Sequence, residues 1–144
     1  MQLPALDDFK HQSGVPPALP WWVDVKDADF TLMIPDSWPD GDDDFGEPHQ
    51  PSYSLALRVL PELEPLTRQA VEYLRRIVDR AKVSIDGPPV LNEVTCDARN
   101  ERVTLRMFWE ADVYSLWSVH FFWRDHDDGS PRWVSPNGME YRSR

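Results

Sequence analysis

Carboxylates are the most concentrated reactive groups in this sequence, and most of them lie in one segment. Between Asp24 and Glu47 there are nine acidic residues and a single basic residue, Lys26. Nine acids less one base leave a local charge of −8, most of the chain's net charge of −10. A patch of one sign speeds association with an oppositely charged partner, so the segment predicts a steering surface for a basic protein. A solvated loop that keeps the protein soluble is the alternative.

Two aromatic residues lie within the acidic segment. Trp38 and Phe45 offer rigid rings with large contact area, which is typical of anchors in protein interfaces. Folding back onto the core is the alternative for either ring. The contact residues that we predict here are Asp36, Trp38, Asp40, Asp42, Asp43, Asp44, Phe45 and Glu47.

A calcium site is the rival interpretation of the same loop. Asp40, Asp42 and Asp44 have the alternating spacing that begins an EF-hand. The sixth position, where that motif needs glycine, is Phe45, and the twelfth, where it needs glutamate, is Pro51. None of the four histidines has a second ligand at helical spacing, and one cysteine cannot form a zinc knuckle. We therefore predict no metal site.

No pattern in the chain predicts catalysis. There is no G-x-S-x-G motif around a nucleophilic serine, and no glycine-rich loop precedes a helix. Cys96 is in strand phase with Val94 and is expected in the core. The prediction is a protein that is not an enzyme and needs no cofactor.

The second predicted contact surface lies on two antiparallel strands within residues 102–124, joined by a tight turn near Ala111 and Asp112. Alternate residues of a strand face the same side of a sheet. On one side the residues are apolar and are predicted to form the core: Val103, Leu105, Met107, Trp109, Val113, Trp117, Val119, Phe121 and Trp123. The residues on the other side of the sheet include both polar and large apolar side chains, so this side must be covered or bind a partner. The contact residues predicted on it are Phe108, Tyr114, Leu116, His120 and Phe122.

The remaining pattern predicts an α+β fold. Strands are expected at 28–34 and 53–60, and an apolar stripe at helical spacing predicts one main helix over 62–83. A further strand is expected at 91–97. With short strands at 132–135 and 138–142, this gives a mostly antiparallel sheet of about five to six strands in the order ββαβββ, with the helix packed on one face.

Length and composition favour one domain over residues 1–144, with an extended N-terminal arm at 1–20 and the acidic loop at 35–52. The negative charge opposes binding to nucleic acid and to anionic membranes. No apolar run approaches the length of a membrane span, and the first residues lack the apolar core of a signal peptide. We therefore expect a cytoplasmic protein with a basic protein partner. A homodimer stays open.

In its small size, strong acidity, aromatic sheet and lack of motifs, the chain resembles bacterial immunity proteins, which neutralise a cognate toxin by binding it. The resemblance implies that the acidic loop and the sheet face occlude a basic active surface of the toxin.

A second resemblance is local. Residues 30–38 (FTLMIPDSW), followed by a strand and by the helix PLTRQAVEYLRRI at 65–77, are similar to the opening of DcrB-like chaperones that escort Rhs-type toxins. The acidic insertion at 39–48 departs from that pattern. This resemblance implies, as an alternative, a chaperone or adaptor that holds a secreted effector on an apolar sheet face. A small enzyme without a recognisable motif is the third hypothesis.

Overall fold

The computed structural model describes residues 1–11, 21–37, 46–80, 87–125 and 131–143. They form an α+β fold in which helices pack on one face of a mixed sheet. The predicted fold class is therefore confirmed.

In the described part of the chain, seven strands form the sheet, and their order across it is their order in the sequence. They are β1 (Lys10–His11), β2 (Trp21–Asp24), β3 (Thr31–Ile34), β4 (Pro89–Asp97), β5 (Arg102–Trp109), β6 (Asp112–Asp125) and β7 (Pro131–Ser143). Neighbouring strands are antiparallel except for β3 and β4, which are parallel because a helical crossover connects them.

The crossover contains two helices, α1 (Gln50–Val59) and α2 (Leu63–Arg80), joined by a 3-10 turn at Leu60–Glu62. Pro51 and Pro61 each stand in the first turn of a helical element, where a missing N–H breaks no internal hydrogen bond. Helix α1 contacts β4 through one side. The buried residues of α1 recur at helical spacing and are Ser52, Leu55, Ala56 and Val59.

The predicted strand at 53–60 is wrong. Alternating apolar residues from Tyr53 to Val59 fit a strand, but Leu55, Ala56 and Val59 also fit one side of a helix, and the chain forms α1 there. The order is therefore three strands, two helices and four strands. The acidic loop also ends before residue 52, since α1 begins at Gln50.

The other predicted elements are found with modest shifts. The predicted helix at 62–83 corresponds to α2 (Leu63–Arg80), and residues 81–86 lie outside the described part of the chain. The two short strands predicted near the end of the chain are one strand, β7. The described part of the N-terminal arm contains a 3-10 turn (Leu6–Asp8) and is packed down, because Phe9 is buried and the Tyr53 hydroxyl donates to the carbonyl of Pro4 at 2.7 Å.

The core lies between the helices and the side of β5 and β6 on which the apolar residues were predicted. Val103, Leu105, Met107, Trp109, Val119, Phe121 and Trp123 are buried there. Trp117 is half-buried and its ring meets that of Trp109 edge to face, with centroids 5.5 Å apart. The side chain of Val113 lies outside the described residues. Leu66, Ala70 and Leu74 of α2 complete the same cluster.

Candidate functional site

The structure describes part of each predicted contact surface. In the acidic loop it describes Asp36 and Glu47, whereas Trp38, Asp40, Asp42, Asp43, Asp44 and Phe45 lie outside the described residues. On the sheet it describes Phe108, Leu116, His120 and Phe122, and only the backbone of Tyr114.

The acidic loop leaves and rejoins the fold through a neck formed by residues 35–37 and 46–49. The Ser37 amide donates to the carbonyl of Glu47 at 2.7 Å, and the Glu47 amide donates to Ser37 Oγ at 3.2 Å. The His49 amide donates to the carbonyl of Pro35 at 3.0 Å. A β-bridge between Asp36 and Pro48 completes the closure, so both ends of the loop are tied at one place.

Asp36 is the buried acidic residue of the neck. Only 5% of it is exposed, and its carboxylate accepts hydrogen bonds from Trp21 Nε1 at 3.1 Å and from the Ser37 hydroxyl at 3.3 Å. A side chain at Gly46 would overlap this carboxylate and displace it from its hydrogen bonds with Trp21 and Ser37. We predicted Asp36 as a contact residue, but its burial makes it a structural residue of the neck. Glu47 is exposed, as a contact residue must be.

The neck rests on the turn between β4 and β5. The Arg99 guanidinium donates to the carbonyl of Ser37 at 2.6 Å. The carboxylate of Asp97 shapes this turn, because it accepts the amides of Arg99 and Asn100 at 3.1 and 3.3 Å. A fixed cation therefore lies at the base of the acidic loop.

Ser52 joins the start of α1 to the same turn. Its Oγ accepts the amide of Ala98 at 3.0 Å and lies 2.7 Å from His49 Nδ1. Burial, and next the charge of Arg99, hold the pKa of His49 below its ordinary value of 6.5, while Asp97 opposes them. A neutral ring can accept the Ser52 hydroxyl proton. The pair has the chemistry of a nucleophile and its base, but Ser52 is fully buried and so links elements instead of facing a substrate.

The far face of the sheet, opposite the helices, carries two rows of polar contacts, one across β4, β5 and β6 and one between β5 and β6. In one row Arg106 donates to Glu93 at 2.9 Å and to the Ser118 hydroxyl at 3.4 Å. In the next row Thr104 Oγ1 lies 2.8 Å from His120 Nδ1. His120 therefore makes a contact between strands within the protein.

The apolar residues predicted on the far face are half-buried and lie at opposite ends of these rows. Phe108 and Leu116 lie beyond the row of Arg106, whereas Phe122 lies beyond the row of Thr104. Polar contacts therefore separate the large apolar side chains described on this face.

The acidic segment is also divided in space. Asp24, Asp27 and Asp29 are exposed where β2 turns into β3, and Asp27 has a left-handed backbone with φ of 61°. The neck follows the other end of β3. The acidic residues of the β2–β3 turn and those of the neck, Asp36 and Glu47, therefore lie at opposite ends of one short strand.

An apolar groove of about 790 Å³ lies near the Asp29 end of the sheet. Its walls come from the first residues of the chain, the junction of α1 and α2, and β4. Its apolar lining residues are Met1, Leu3, Phe30, Leu60, Pro61, Leu63 and Leu91. Sequence reasoning missed the groove because the lining comes from separate elements with no shared motif.

Cys96 is buried, as predicted, and burial raises the pKa of its thiol. Within the described ranges, no three His, Cys, Asp or Glu side chains are grouped so that they could hold a metal ion. None of the helices that the structure describes is both long enough and apolar enough to span a membrane.

Comparison of the chain with protein-family models, with curated proteins and with solved structures found no match.

Proposed function

We propose that the chain is a small acidic protein-binding module, most specifically a bacterial immunity protein that binds a cognate toxin and occludes its basic active surface. The neck is the observation that carries the proposal. It fixes both ends of the loop that contains Asp40, Asp42, Asp43 and Asp44, through the contacts of Ser37, Glu47 and His49. A binding loop with tied ends loses less conformational entropy when it meets its partner.

The charge pattern supports the same proposal. A net charge of −10 on 144 residues attracts a basic surface from a distance and repels acidic macromolecules. The exposed Asp27 and Asp29 at the β2–β3 turn add to this field, but they lie away from the neck. We therefore assign long-range attraction to both acidic groups and close contact to the loop above the neck.

The effector-chaperone alternative requires a continuous apolar sheet face. The contacts of Arg106 and Thr104 across the far face give it no support. That alternative also predicts binding that is nearly indifferent to salt, because apolar contact is not screened by ions.

The experiment uses the partner that the tagged protein captures from its native host. Association rates are measured across a salt series for the natural protein, for Asp42→Asn with Asp43→Asn, and for Asp27→Asn with Asp29→Asn. Both variants lose the same formal charge. We expect rates to fall with salt, and the loop variant to weaken affinity by about tenfold or more, well beyond the turn variant. Salt-independent association, or equal effects of the two variants, contradicts the proposal.

A further inference from the structure

We propose a second binding site: the apolar groove beside the α1–α2 junction receives an amphipathic helical segment of a protein partner, with lysine or arginine residues flanking its apolar side. This proposal does not depend on the acidic loop, whose neck lies at the other end of β3. Either site can fail without the other.

The floor and walls of the groove are built from the core outward. Phe30 and Leu63 are buried members of the core cluster, and Leu91 packs against it. A register shift between Leu91 and Glu93 places Leu91 on the helix side of β4, where it pairs with Met107. The bulge thus adds an apolar side chain to the groove that a regular strand would place on the far face.

Met1 and Leu3 form the outer wall. They are 60% and 45% exposed, and they are the exposed large hydrophobic residues of the described chain. The segment behind them is held in place, since Pro4 is buried and its carbonyl accepts the Tyr53 hydroxyl. Two exposed apolar side chains at the edge of an apolar groove gain free energy when a partner covers them.

The polar groups of the groove lie at its rim and determine the charge of the occupant. Glu64 and Arg68 pair at 3.3 Å, with side chains 88% and 66% exposed, so the pair is weak and Glu64 can exchange its partner. Acidic residues also adjoin the lining: Asp29 precedes Phe30, and Glu62 precedes Leu63. Three acids against Arg68 and the amino group of Met1 leave an excess of one negative charge, which favours a segment with basic flanks.

An open groove with apolar walls and an acidic rim suits an amphipathic helix, whose apolar residues recur at i, i+3, i+4 and i+7. The test therefore uses a synthetic leucine–lysine helix of about fourteen residues with that spacing. One control peptide has the same composition with its leucines spread around the helix. The other replaces every lysine with glutamate.

Two matched pairs of protein variants locate the binding. Leu3→Asp places a charge on the outer wall, and Ser54→Asp places the same charge at an exposed position of α1 away from the groove. Glu64→Lys reverses the charge at the rim, and Glu72→Lys makes the same change two turns further along α2. All four positions are exposed, and circular dichroism checks that each variant folds.

We expect the leucine–lysine peptide to bind, and Leu3→Asp and Glu64→Lys each to weaken it about tenfold, while Ser54→Asp and Glu72→Lys leave it unchanged. Equal binding of the spread-leucine peptide, stronger binding of the glutamate peptide, or equal effects of groove and control variants overturns the proposal. Binding of dodecanoate without binding of the peptide overturns it in favour of a small-molecule site.

Discussion

The two faces of the β5–β6 hairpin show how one pair of strands serves two environments. On the helix side, Leu105 and Met107 are fully buried and meet apolar neighbours. On the far face, the alternate residues Thr104 and Arg106 are half-buried and make polar contacts with β4 and β6. The helix side is stabilised by apolar burial and the far face by contacts between strands, so substitutions on the two faces differ in both size and physical cause.

The largest difference is expected between Leu105→Ala and Phe108→Ala. Leu105 has no exposed surface, so its truncation removes apolar burial and leaves a cavity, which lowers the free energy of unfolding by about 2–5 kcal/mol. Phe108 is half-buried, and we expect a loss below about 2 kcal/mol. Urea denaturation of both variants measures the difference. Equal losses would mean that the far face is also packed as a core.

Hydroxyl groups extend the comparison to polar contacts. Ser52 is fully buried, and Ser52→Ala removes the hydroxyl that contacts the Ala98 amide and His49. We expect the free energy of unfolding to fall by about 1–3 kcal/mol. Thr104→Val keeps the shape of the side chain on the far face, and we expect about 0.5–1.5 kcal/mol. Thermal denaturation of the two variants, with the exposed Ser54→Ala as control, tests this order. A Ser52→Ala protein as stable as Ser54→Ala would contradict the assigned role.

The Glu93–Arg106 pair provides a smaller test on the far face. Both side chains are partly shielded and lie 2.9 Å apart, so a double-mutant cycle with Glu93→Gln and Arg106→Gln should give a coupling of about 0.5–1 kcal/mol. Added salt should reduce it. A coupling indistinguishable from zero would show that the row is held by the strands alone.

The smallest expected effect is the pH dependence at His49. Its pKa is lowered in the folded protein, so the unfolded chain binds the proton first as the pH falls. The stability that the neutral ring contributes is complete above its ordinary pKa of 6.5 and is lost as the pH falls from that value through the folded pKa. His49→Asn should therefore flatten the fall of unfolding free energy as the pH drops below 6.5. Parallel curves for the two proteins would contradict this.

Much of the fold could be predicted because it follows from periodicity. The buried parity of β5 and β6 and the apolar stripe of α2 are regular over many residues. The apolar residues of the short run at 53–60 fit both the two-residue period of a strand and the 3.6-residue period of a helix. In the fold this run is helical and packs against β4. Alternation over so few residues does not separate strand from helix.

The candidate sites were less accessible from sequence because they depend on contacts between distant residues. Ser52 belongs to no motif, and it becomes important only because the fold brings Ala98 to it. In the sequence, nothing separates Asp36 from the other eight acids of the segment. Its role depends on Trp21 and Gly46, which contact it only in the fold. The division of the acidic segment between two ends of β3 likewise follows from the fold.

The parallel pairing of β3 with β4 has a consequence for how the protein opens. Strands β1–β3 form one local meander and β4–β7 another, and the ladder between them is short, joining Thr31–Met33 to Glu93–Thr95. We therefore expect the first meander to detach as a cooperative unit before the second opens. Native-state hydrogen exchange should show the amides of β2 and β3 losing protection together, at a lower free energy than those of β5.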